Sequence, residues 1–216
     1  MNARGVVLIM GLILLAAISL LALTSTRGMV LQHRMAGNLA ENTEALHNAT
    51  VAAGDARAWL ESRADFERDA GCIADCLLPV AIRNAGELPP YPEFESAAWW
   101  RMNGLPAGVH PGTGEDLGHS SGGVEPARWI IEEIRYEPID PELPDLSVAG
   151  TGYYRILARG SGNRHGSVAV SEAILARPWD GDYDPAPYPA TEAPGSFCRQ
   201  FGEPVACGTL AWRQRK

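Results

Sequence analysis

From Gly5 to Thr26 the chain carries no charged residue, and Val6–Leu23 is apolar except for Ser19. A helix of roughly 20 such residues matches the hydrocarbon thickness of a bilayer. A helix that is apolar on every side also has no place on the surface of an ordinary soluble domain. Residues 6–26 therefore read as a single membrane-crossing helix. A cleaved secretory signal fits less well. Its apolar core is usually about 7–15 residues long, and Ala22-Leu23-Thr24 makes a poor cleavage site. The flanking charges do not set an orientation, because Arg4 precedes the run while Arg27 and Arg34 follow it.

Four cysteines, Cys72, Cys76, Cys198 and Cys207, all follow the apolar run and so share one compartment. An even number beyond a membrane segment predicts disulfides in an oxidising space. Three pairings are open, with Cys72–Cys76 and Cys198–Cys207 as the first choice. Zinc competes poorly, since no histidine lies near either pair. The net charge of −8 offers no basic stripe for phosphates, which argues against nucleic acid as a partner. Arg213, Arg215 and Lys216 form the one basic cluster, and it reads as a solvated tail end.

The helical pattern continues past Arg27, with no proline before Pro79. Heptads place Met35, Asn42, Ala49 and Ala56 beside Leu39, Leu46, Ala53 and Leu60, a narrow stripe rich in alanine. Glu41, Asn48, Asp55 and Arg57 are expected on the opposite, solvated face. The small residues let a sheet or a neighbouring helix approach closely. They make a weak coiled-coil seam, so packing on the chain's own sheet is expected. Residues 27–64 thus read as an amphipathic continuation of the helix. Gly28, Gly37 and Gly54 each weaken it by up to about 1 kcal/mol relative to alanine.

The rest of the chain, 65–216, reads as a small globular domain. Arg128–Tyr136, Gly152–Arg159 and Ser167–Ala176 have strand character, and Gly160–Gly166 is a glycine-rich hairpin loop between the last two. Tyr154, Ile156 and Ala158 share one face of the middle strand and should meet the helix stripe. Pro89–Pro126 and Pro178–Pro194 are loop-rich, with Trp99-Trp100 as a core anchor in the former.

Arg4-Gly5 before an apolar run, then Gln32-His33-Arg34-Met35-Ala36-Gly37-Asn38 and Ala52-Ala53-Gly54-Asp55-Ala56-Arg57-Ala58-Trp59-Leu60, resembles the PilX family of type IV pilus assembly proteins. The resemblance covers about residues 4–62. It implies an α+β, type IV pilin-like fold, with a long N-terminal helix packed on a small antiparallel β-sheet. It also implies a leader, residues 1–5, cut by prepilin peptidase between Gly5 and Val6, and N-methylation of Val6. The mature chain would pass from the inner membrane, with its domain in the periplasm, into a cell-surface pilus. Its partners would be other minor pilins, the major pilin and a tip adhesin. Assembly contacts would fall on Met10, Met35, Leu39, Leu46 and Leu60. Major pilins carry a glutamate at the fifth mature position, where this chain has Met10. A subunit without that acid cannot form the corresponding ion pair, which points to a place near the filament tip.

Asp180, Asp182 and Asp184 open a D-x-D-x-D run. Pro185 and Thr191 stand where an EF-hand needs glycine and glutamate, so this is at most a loose calcium site. His33, His47, His110, His119 and His165 are scattered, and no nucleophile–base set or phosphate loop is recognisable. No cofactor and no enzymatic activity are expected. The expected role is a minor pilin that helps start assembly. The alternatives are a K-type pseudopilin of type II secretion and a binding module on a plain membrane anchor.

Overall fold

The computed structural model describes residues 3–64, 68, 82–118, 122–138, 149–164, 166–179, 185–190, 196–202 and 205–215, without the side chains of 3–7 and 23–27. One helix, α1, runs over Ala3–Glu61. The chain divides into two compact units, 1–41 and 42–216. The first is the leading part of α1. The second holds the end of α1, a six-stranded sheet and a short helix.

The strands are β1 (Ile82–Arg83), β2 (Leu105–Pro106), β3 (Arg128–Pro138), β4 (Gly150–Ser161), β5 (Val168–Trp179) and β6 (Gly208–Arg215), with α2 (Ala97–Asn103) before β2. The sheet order is β1-β3-β4-β5-β6, and β2 also pairs with β3. Pairing is antiparallel except between β1 and β3. The sheet is therefore mixed, where an antiparallel one was expected. The three expected strands form its centre, each longer than its strand-like sequence. The other three lie outside the expectation. Two-residue strands leave no period to detect, and β6 hides its alternation behind Arg213, Gln214 and Arg215.

Side-chain alternation divides the sheet into two faces. On one, Trp129, Ile131, Tyr154, Ile156, Ala158 and Leu175 pack with Ala52, Ala56, Trp59 and Leu60 of α1. Tyr154, Ile156 and Ala158 thus do meet the helix. On the other, Ile130, Leu157 and Val170 pack with Trp100 of α2 and Leu88. Ser96 caps α2, its hydroxyl accepting from the Trp99 amide at 3.1 Å. Trp100 is fully buried, with its indole donating to the Pro92 carbonyl at 3.1 Å.

The buried face of α1 follows Ala45, Ala49, Ala52, Ala56 and Leu60, a helical spacing of four and three. Asn48 and Asp55 lie within this face, 1% and 6% exposed, and not on the solvated side. Both are hydrogen-bonded there, which is how a helix buries polar side chains at acceptable cost.

Cys198 and Cys207 are joined by a disulfide with Cα atoms 5.6 Å apart. It closes a short loop directly before β6. Replacing both by serine is expected to cost about 2–3 kcal/mol on the loop-entropy account. Thermal melting should fall by roughly 4–12 °C relative to the oxidised parent. A melt unchanged by the double substitution would mean that β6 is held without the bridge. Cys72 and Cys76 lie outside the described residues.

Candidate assembly surface

In the unit 1–41, large apolar side chains point outward on all sides of the helix. Leu8, Ile9, Met10, Leu12, Ile13, Leu14, Leu15, Ile18, Leu20 and Leu21 are all more than half exposed. Exposed leucines are common singly, but not as a continuous sleeve around a helix. The one polar side chain inside the sleeve is satisfied internally, since the Ser19 hydroxyl donates to the Leu15 carbonyl at 2.8 Å. Among the described residues no helix is long and apolar enough to cross a membrane. The side chains described within the run are those of Leu8–Ala22, which at ~1.5 Å per residue span less than the ~30 Å hydrocarbon core. Met35 and Leu39, further along the same unit, are 64% and 68% exposed.

In the unit 42–216, α1 is fastened to the sheet by polar side chains as well as by its alanines. The Asp55 carboxylate accepts from the Gly108 amide at 3.0 Å, the Trp129 indole at 3.2 Å and the Tyr188 hydroxyl at 3.0 Å. One helical side chain thereby holds the β2–β3 connection, the start of β3 and the segment after β5. Burial pushes the Tyr188 phenol well above its ordinary range, and the Asp55 charge and hydrogen bond raise it further. The phenol therefore stays protonated and donates throughout the neutral range.

Two turns earlier, the Asn48 amide donates to the Ser161 carbonyl at 2.8 Å. Beside the Asn48 contact β4 offers Gly160 to the helix. A Cβ there would stand 2.3 Å from both the Ala45 carbonyl oxygen and the Ala49 nitrogen. Glycine is what lets α1 lie on β4 at that crossing. At the helix end, Arg57 pairs with Glu61 at 2.7 Å, and the Glu61 carbonyl accepts from the Ala186 amide at 3.2 Å.

The face of the sheet away from α1 carries an ionic row. Glu132 is 2% exposed, accepts from the Gly86 amide at 2.8 Å and pairs with Arg155. Glu172 holds Arg213 at 3.0 Å and Arg215 at 2.6 Å, while Arg215 also reaches Glu93 at 3.0 Å. The terminal arginines are thus cross-strand partners of a buried acid, not a solvated tail. The Glu132–Arg155 and Glu172 groups line an open cavity of about 620 Å³ together with Leu88, Ile134 and Ile174.

The expected site residues are not gathered at one point. Leu46 is partly buried and Leu60 fully buried in the second unit. Gly5 and Val6 belong to α1, but their side chains are outside the described set. Asp180, Asp182 and Asp184 also lie outside the described residues, and so does His119. Among the described residues no cluster of acids, histidines and cysteines could hold a metal ion. The groups missed from sequence are Asn48 and Asp55. Their spacing from Ala45, Ala49, Ala52 and Ala56 is the signal that could have placed them on the buried face.

The chain thus combines an apolar leading helix with later helical turns clamped to a mixed sheet. Residues 4–57, about a quarter of the chain, match the family described as PilX N-terminal. No curated protein and no solved structure matches the chain.

Proposed function

We propose that this chain is a minor pilin that helps prime type IV pilus assembly, near the filament tip and beside other minor pilins. The observation that carries it is the apolar sleeve of α1 within the PilX N-terminal match. Such a surface needs lipid before assembly and other helices after it. Membrane anchoring through residues 6–26, a periplasmic domain and removal of the leader after Gly5 follow from this reading. Met10 supports a terminal position, because an apolar side chain needs no amine partner from a neighbouring subunit. The second unit, in which the end of α1 is clamped to the sheet, supports a structural role. A type II secretion pseudopilin would share the processing and differ in the machinery that recruits it.

The N-terminal residue of the protein isolated from membranes tests this. Intact mass and terminal-peptide mass spectrometry should find methylated Val6. A Gly5→Leu variant should keep Met1 and drop out of pili. A parent chain that retains Met1 would overturn the pilin reading and favour an anchored binding module. A start near Ser25 would instead show a secretory signal and also overturn it.

A further inference from the structure

The strand β6 ends the sheet. It pairs with β5 on one side, and among the described residues nothing pairs with its other side. Its residues 209–214 are exposed. An eight-residue strand without proline leaves a row of outward backbone N–H and C=O groups. A bulge at Leu210 interrupts the register with β5, and beyond it the edge continues and is held in place. The Cys198–Cys207 disulfide fixes its start, and Glu172 and Glu93 fix its end through Arg213 and Arg215.

The two faces of this edge differ. Trp212 stands opposite Ala173, on the side that faces α1, and is 50% exposed. It walls an apolar groove of about 230 Å³ together with Ala53, Gly54, Ala173, Pro187 and Thr209. Gly54 adds room, since a Cβ there would meet nothing within 4 Å. On the opposite face, Arg213 stands over Glu172. The Arg213 side chain is 64% exposed and the Glu172 side chain 8%, so the cation is outermost. One terminal guanidinium nitrogen of Arg213 serves both Glu172 oxygens, leaving further N–H donors for another carboxylate.

We propose that β6 is a docking edge for an extended segment of a partner polypeptide in which apolar and acidic residues alternate. A strand satisfies the outward backbone groups, which a helix cannot do. Its period of two drops apolar side chains beside Trp212 and acids beside Arg213, on a chain whose net charge of −8 otherwise repels acids. The inference rests on the reading that this chain is assembled with other subunits.

Amide hydrogen exchange on the full chain, free in detergent and in its native assembled fraction, tests it. The amides of 208–215 are expected to fall into two sets when free, those bonded to β5 and those facing outward. Assembly should slow the outward set by about 100-fold. The chain has a single lysine, Lys216, directly after β6 in sequence. Zero-length carbodiimide coupling should therefore join Lys216 to an aspartate or glutamate in an alternating segment of another polypeptide. Trp212→Ala and Arg213→Gln should each reduce that coupling at least tenfold. Melting within a few degrees of the parent confirms that each variant is folded.

Equal exchange of β6 amides in the free and assembled chain would overturn the proposal, as would coupling to a helical or basic segment. The N-terminus separates the two failures. Methylated Val6 with unprotected β6 amides sinks the docking edge alone. Retained Met1 in a chain that never leaves the free state sinks both.

Discussion

Gly160→Ala is expected to lower the melting temperature by roughly 6–12 °C, from a cost of about 3 kcal/mol. One methyl group does this because of where it points. The new Cβ would lie 2.3 Å from the Ala45 carbonyl oxygen and from the Ala49 amide nitrogen, with the Asn48 carbonyl carbon at 2.9 Å. These are backbone atoms of α1, so no rotamer change relieves the overlap. The helix has to lift from β4, and the Asn48 bond to the Ser161 carbonyl lengthens with it. The alanine face that depends on close approach loses contact over the same turn. The same substitution at Gly54 is the internal contrast, because its added methyl would meet nothing within 4 Å. There helix propensity dominates, and alanine should raise stability by up to about 1 kcal/mol. Thermal melts of the two variants against the parent decide it. Equal effects at both positions would mean that α1 does not cross β4 at Gly160.

The sequence speaks clearly where one periodicity runs long enough. The three central strands are of that kind, and alternation puts Tyr154, Ile156 and Ala158 on one face, which meets the helix. The sheet edges were not legible, for physical reasons. β1 and β2 are two residues each, and their pairing with β3 is set by tertiary contact. β6 alternates a groove-facing tryptophan with arginines that answer a buried acid on β5, and this resembles a polar tail until Glu172 is known to lie beside it. The polar clamp is hidden for a different reason. Polar residues on a helix are normally solvated, so the sequence pattern points Asn48 and Asp55 outward. Their partners, Ser161, Gly108, Trp129 and Tyr188, are 53 to 133 residues away in sequence. No local pattern announces contacts at that range.

Asp55→Ala should cost about 4 kcal/mol, a loss of roughly 8–16 °C in melting temperature. The carboxylate is 6% exposed and accepts from three donors on three separate segments. Alanine fits the helix, so the penalty arises from what is left behind. The Gly108 amide, the Trp129 indole and the Tyr188 hydroxyl would each face a small cavity with no acceptor. Stranded buried donors cost about 1–3 kcal/mol each, less where water enters. Asp55→Asn keeps one carbonyl oxygen but turns an NH2 group toward a donor, and should fall between parent and alanine. Tyr188→Phe removes one donor and spares the other two, so about 1 kcal/mol is expected. Combined with Asp55→Ala it should add almost nothing, because its partner is already gone. Hydrogen exchange at Gly108 separates this account from general loosening. Its amide should lose protection in Asp55→Ala far more than amides in the middle of β4 do. A uniform loss across the sheet would show that Asp55 supports the fold only through packing, and that the β2–β3 connection is held by something other than the helix.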